Sequence, residues 1–324
     1  MSPLKSISVI VWCVAAVARV NAAEPLAPLP AGVRLLSDIA YLPADRAEKL
    51  DIYLPPASGG GDAGAGAEAR RPAVVYYHGG GWVRGDKATE RERNIGGKLA
   101  AAGYVFVSVN YVLGPRVWPA NLLDCKNAVR FVRQHASRYS IDPDRIAAMG
   151  TSAGGHLAMM VGYTTEHSEF EPTAPYAGVS SRVAAVVDFY GMTNLLTRRQ
   201  VESDGTPTGR FMDSHAPEVL GVTRSEAPAR WQSASPVTHV TQHSPPTLIV
   251  HGLADATVDY IQAVELANVL RARGVAHELR LLEGIGHMFH LDEWKGQPMS
   301  DLTPVVTAFL EKYLTRTPLA AGKE

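Results

Sequence analysis

Short apolar runs alternating with longer amphipathic segments recur along most of this sequence, and no other feature restricts its fold so tightly. The runs cover residues 73–77, 105–109, 146–149, 183–189, 247–250 and 279–282. Each reads as a strand buried on both faces, which a parallel sheet covered by helices demands. Between and after them, residues 88–102, 122–135, 154–163, 261–273 and 305–314 carry helical spacing. Pro143 and Gly274 stand where strands are about to begin. Two earlier runs, 33–41 and 50–54, read as strands that precede the alternation. The pattern predicts an α/β fold, a mostly parallel central sheet with helices on both faces. Loops leaving the carboxyl ends of its strands would carry the site.

Length and composition set the outer limits. The 324 residues are 46% hydrophobic and 19% charged, ordinary values for a globular protein with a substantial core. A formal net charge of −1 argues for neither nucleic acid nor an anionic membrane surface as partner. The first residues read as a targeting segment: Lys5 supplies a positive end, residues 7–17 an apolar run, and Val20-Asn21-Ala22 small residues before a cut near Ala22 or Ala23. The run is shorter than the roughly 20 apolar residues that span a bilayer, so no stable membrane insertion is expected after processing. The expected organisation is a signal peptide over 1–22 and a single catalytic domain over 23–324, secreted or periplasmic. Only Cys125 of the two cysteines would remain, and it reads as a small buried residue. The Gly- and Ala-rich stretch between Pro56 and Arg71 reads as a loose connection, and the polar segment 193–242 as part of a lid or rim.

The chemistry starts where residues 146–149 run into Gly150-Thr151-Ser152-Ala153-Gly154. A G-x-S-x-G pattern between a strand and a helix makes a turn so sharp that only glycine fits beside the serine. Ser152 is thereby exposed above the sheet edge as a nucleophile. The helix that follows offers backbone N–H groups and a positive dipole end to developing negative charge. An earlier strand ends in His78-Gly79-Gly80-Gly81. Glycines there let the backbone approach a substrate closely. Gly80 and Gly81 are the expected oxyanion donors from this turn, with Ala153 as the third. His78 precedes the nucleophile and reads as a brace for its own loop.

A nucleophile of this kind needs a base and an acid, in the chain order serine, acid, histidine. Asp255 lies on the loop after 247–250, and His287 on the loop after 279–282. His287 is the expected base and Asp255 the residue that orients it. Asp188 also ends a strand, but Asp255 is preferred because its strand neighbours the histidine strand in sequence. Glu283 would have to point back across its own loop. The remaining histidines lack a metal-ligand pattern, and no dinucleotide or phosphate loop occurs, so neither metal nor cofactor is expected.

These motifs resemble the esterase/lipase-like α/β-hydrolases related to hormone-sensitive lipase, and above all the group described as acetyl and feruloyl esterases of plant polysaccharides, BD-FAE. The likeness runs from Leu50-Asp51-Ile52-Tyr53-Leu54-Pro55 through residues 78–82, Gly85-Asp86-Lys87, Val109-Asn110-Tyr111 and Trp118-Pro119-Ala120. It continues through residues 141–146, 150–158, Asp188-Phe189-Tyr190-Gly191, Ser235-Pro236 and 251–258 to Gly286-His287. The chain departs from that group at Val112, where arginine is common, and at Leu253, where an acid is common. The resemblance implies the α/β-hydrolase fold and the same triad of Ser152, Asp255 and His287. It further implies deacylation of small acyl groups from a small-molecule or oligosaccharide ester. A serine peptidase or amidase and a non-catalytic binding protein are the alternatives.

Overall fold

The computed structural model describes residues 27–57, 70–165 and 167–314. The expected signal peptide over 1–22 and the Gly- and Ala-rich stretch over 58–69 lie outside these residues.

Eight strands form one sheet in the order β1-β2-β4-β3-β5-β6-β9-β10. They are β1 (Arg34–Ala40), β2 (Lys49–Leu54), β3 (Arg71–Tyr77), β4 (Val105–Val109), β5 (Ile141–Thr151), β6 (Ala185–Phe189), β9 (Thr247–Gly252) and β10 (His277–Leu282). The first two pair antiparallel, and β3, β4, β5, β6, β9 and β10 run parallel. Two small hairpins lie apart from the sheet: β7 (Arg199–Val201) with β8 (Pro207–Phe211), and β11 (Glu293–Trp294) with β12 (Gln297–Pro298).

Alternate strand residues feed two cores, as the pleat requires. Val75, Tyr77, Val107 and Ala148 face helices α2 (Ala120–Gln134), α3 (Ala153–Tyr163) and α6 (Ile261–Ala272). Val74, Tyr76, Phe106 and Met149 face α1 (Glu90–Ala101) and α7 (Thr303–Tyr313). Two short helices, α4 (Ala216–Leu220) and α5 (Pro228–Ser233), lie in the polar segment 193–242. The sheet is therefore mostly parallel and covered on both faces, the architecture of the α/β-hydrolase fold.

Two local expectations are corrected. The run 279–282 reads as a strand buried on both faces, but β10 is the sheet's edge and Leu281 is 37% exposed. An apolar run alone does not say how many neighbours a strand has. Pro143 does not precede its strand but lies inside β5, where the pairing slips between Arg71↔Ile141 and Ala73↔Ile146. A residue without an N–H is tolerated at such a break, because no ladder bond is asked of it.

The chain turns from β3 to β4 on one side and to β5 on the other. This reversal opens a crevice at the carboxyl ends of β3 and β5, where ligands bind in open α/β sheets.

Candidate active site

At the end of β5 the backbone of Ser152 adopts φ 54° and ψ −119°, a conformation unusual for a residue with a side chain. Holding it costs on the order of 1–3 kcal/mol, which its surroundings must offset. The Ser152 N–H donates to Phe189 O at 2.8 Å, and Ser152 O accepts from the His156 N–H at 3.0 Å. Space explains the flanking glycines. A Cβ on Gly150 would sit 2.2 Å from Gly154 O, and one on Gly154 would sit 1.9 Å from Tyr77 O. Helix α3 thus begins against the end of β3 and directly after the serine.

The turn after β3 is braced from several sides. The His78 ring stacks on Tyr111 with centroids 4.5 Å apart, and the Tyr111 hydroxyl donates to His78 O at 2.8 Å. Burial lowers the His78 pKa, which keeps the ring neutral. Further along, the Lys87 N–H donates to Asn110 Oδ1 at 2.6 Å, and Lys87 Nζ lies 2.8 Å from the buried Asp51 carboxylate. Gly80 and Gly81 have φ values of +122° and +64°. A Cβ there would lie 2.0 Å from Arg84 O or 2.5 Å from the His215 ring. Among the described residues, the Gly80 and Gly81 N–H groups donate no backbone hydrogen bond.

The loops after β9 and β10 complete the arrangement. Ser152 Oγ lies 3.0 Å from His287 Nε2, and His287 Nδ1 lies 2.7 Å from Asp255 Oδ2. With an acceptor-only carboxylate at Nδ1, that nitrogen carries the proton, and Nε2 is free to accept from the serine hydroxyl. Asp255 is fully buried. Its Oδ1 accepts the Thr257 and Val258 N–H groups at 2.8 and 2.9 Å. Burial alone would raise its pKa, but hydrogen bonds and charge from His251 and His287 overcome that and hold it well below the usual carboxylate range. For His287 burial wins over the pull of Asp255, and its pKa falls below the ordinary value. A neutral imidazole between an ionised carboxylate and a hydroxyl is ready to take a proton.

Neither alternative acid reaches His287. Asp188 is fully buried in β6, where its Oδ1 accepts the Gly191 N–H at 3.0 Å and burial raises its pKa to about 7. Glu283 is exposed on its loop.

Sequence reasoning missed three neighbours. His251 Nε2–H donates to Val258 O at 2.9 Å and lies 3.3 Å from Asp255 Oδ2. The Tyr190 ring packs edge-on against His287 at 4.6 Å, and Trp294 Nε1–H donates to His287 O at 2.9 Å. Only His251 left a signal, a histidine closing a strand four residues before an acid.

The cavity beside Ser152 has a volume of about 310 Å³. Gly79, Gly80, Gly81, His287 and Met288 line it, together with Arg198, Ser214 and His215 from the polar segment 193–242.

Sheet order, crevice and a Ser–His–Asp line at the strand ends define an α/β-hydrolase of the esterase/lipase-like class. Known proteins narrow this further. The BD-FAE family model matches residues 50–270, and the chain belongs to that family. Esterase LipC of Mycobacterium tuberculosis is 34% identical over 223 residues, which cover 68% of this chain and 53% of LipC. The chain thus spans about half the length of the curated relatives it matches. A solved carbohydrate esterase from gut microbiota, a truncated form, is 25% identical with a TM-score of 0.72, covering 87% of this chain and 97% of that one. An acetyl ester-xyloside bifunctional hydrolase from Caldicellulosiruptor lactoaceticus is 25% identical with a TM-score of 0.60, covering 82% and 84%.

Proposed function

We propose that this chain hydrolyses carboxylic esters through an acyl-enzyme on Ser152, with His287 as base and Asp255 as the acid that orients it. The observation that carries this reading is the unbroken line from Ser152 Oγ to His287 Nε2 at 3.0 Å and from His287 Nδ1 to Asp255 Oδ2 at 2.7 Å. Ser152 Oγ attacks the ester carbonyl carbon and its proton passes to His287. The N–H groups of Gly80, Gly81 and Ala153 receive the negative charge on the carbonyl oxygen, each worth about 3 kcal/mol of transition-state stabilisation. The carbon–oxygen bond to the alcohol breaks as His287 returns the proton to that alcohol. Water then gives a proton to His287 and attacks the acyl carbon. Ser152 leaves with the proton, and the carboxylic acid is released.

The substrate proposed is a small acyl group, acetyl or feruloyl in kind, carried by a carbohydrate. It is supported by the likeness to a solved carbohydrate esterase and to an acetyl ester-xyloside bifunctional hydrolase. An exported location, read from Lys5 and residues 7–17, suits such a substrate.

Hydrolysis of para-nitrophenyl acetate by wild type and Ser152→Ala tests the chemistry. The variant should lose about 10⁶-fold in kcat, the scale seen when a triad serine is removed. Undiminished turnover by folded Ser152→Ala would sink the acyl-enzyme. Acetylated and feruloylated oligosaccharides compared side by side test the substrate, and faster cleavage of a peptide or amide than of either would replace the ester reading.

A further inference from the structure

Among the described residues, the cavity beside Ser152 is lined by three arginines and no carboxylate. Arg84, Arg91 and Arg198 contribute the charge, beside the neutral His287. The arginines are not equivalent. Arg91 pairs with the buried Glu92 at 3.2 Å, so much of its charge is answered within the protein. Arg84 is exposed, and among the described residues it enters no ion pair.

Arg198 is the unusual one. It is only 3% exposed, yet it has no carboxylate at ion-pair distance among the described residues. Its Nη2–H donates to Thr257 O at 2.8 Å, and its Nε has no hydrogen-bond partner. Asp259, Asp255 and Asp213 act on it only from farther away. Burial depresses its pKa to about 10, so it stays charged at neutral pH. A buried guanidinium without a bound anion is costly unless an anion completes it, and its planar fork suits a carboxylate in particular. The bond to Thr257 O ties it to the loop that also carries Asp255.

We propose that this pocket selects esters bearing a carboxylate close to the scissile bond, with Arg198 as its fixed counter-charge and Arg84 as a second one at the mouth. The proposal rests on the esterase reading for its substrate, but the charge selection is separable from turnover. The carboxylate could belong to either half of the ester, and two arms separate these sources. One compares para-nitrophenyl hemisuccinate with para-nitrophenyl butyrate, placing the charge on the acyl side. The other compares para-acetoxybenzoate with its methyl ester, placing it on the alcohol side.

Wild type should favour the charged member of one pair by about tenfold or more in kcat/KM, the scale of a charge-assisted contact. The preference should vanish in Arg198→Met, persist in part in Arg198→Lys, and weaken in Arg84→Glu, whose exposed position keeps folding out of question. A purely structural Arg198 would not move the ratio of charged to neutral substrate. No preference in either arm, or one that survives both Arg198→Met and Arg84→Glu, overturns the proposal. Calorimetric titration of the four intact esters into Ser152→Ala separates this failure from failure of the esterase reading. Tighter binding of a charged ester there supports the pocket even if wild type cleaves nothing, and equal binding removes it.

Discussion

His78-Gly79 and His251-Gly252 are the same dipeptide at the carboxyl ends of two parallel strands, and both imidazoles are buried. They differ in one neighbour. His78 has an aromatic ring against its face and a backbone oxygen at 2.7 Å, and burial drives its pKa down. For His251 burial also pulls downward, but hydrogen bonding and charge from Asp255 prevail and raise its pKa. In a low-dielectric interior a single carboxylate within reach decides whether a histidine is a neutral brace or a proton holder. One ring supports a glycine turn, the other supports the acid of the Ser–His–Asp line.

The largest effect should come from the brace. His78→Ala removes a ring packed beneath the Gly79, Gly80 and Gly81 turn and should cost about 2–4 kcal/mol of stability, as buried large-to-small changes do. Denaturant unfolding measures it, and a loss below about 1 kcal/mol would mean that the turn holds its shape without the ring.

His251→Phe tests the other member. It keeps the ring volume but takes a donor from Asp255, so kcat/KM for para-nitrophenyl acetate should fall about tenfold. The positive charge of His251 also lowers the His287 pKa. The acid limb of the pH profile, below the ordinary histidine value of about 6.5 in wild type, should therefore move upward in the variant. A limb that stays put would show that the two histidines do not communicate through Asp255.

The smallest effect sharpens the comparison at Asp188, a second carboxylate whose charge reaches His251. Burial raises Asp188 to about 7 in the folded protein, against about 3.9 in an unfolded chain. Between these values the folded state holds the extra proton, so wild-type stability declines as pH rises through that window. Asp188→Asn carries no such penalty and should gain on wild type between about pH 5 and pH 8, read as a narrowing or reversed difference in Tm. A pH-independent difference would place Asp188 in its ordinary ionised form.

The sequence carried the architecture well because buried parallel strands need continuous apolar runs and covering helices need a periodic stripe. Helix α3 and strand β4 fall where the pattern places them, within a residue. Ser152 was legible for a steric reason, since glycine at Gly150 and Gly154 is the only way past Gly154 O and Tyr77 O. What stayed hidden depends on contacts between distant elements. β10 reads as an interior strand until one knows that, among the described residues, it pairs with β9 alone. Arg198 sits in a polar stretch that looks like any solvated loop, and only the folded chain shows the charge enclosed beside Ser152. Tyr190 and Trp294 reach His287 by ring packing and one indole bond, which leave no spacing to read.

Strand β10 has a consequence for encounters between copies of this chain. Among the described residues its one sheet neighbour is β9, and an edge of this kind is a template onto which another strand can add. Along that edge Glu278 and Arg280 pair with each other at 3.0 Å, and the arginine side chain is 53% exposed. A strand arriving from a second molecule would have to strip water from this pair. The charges thus guard the flank of the sheet against intermolecular growth at high concentration.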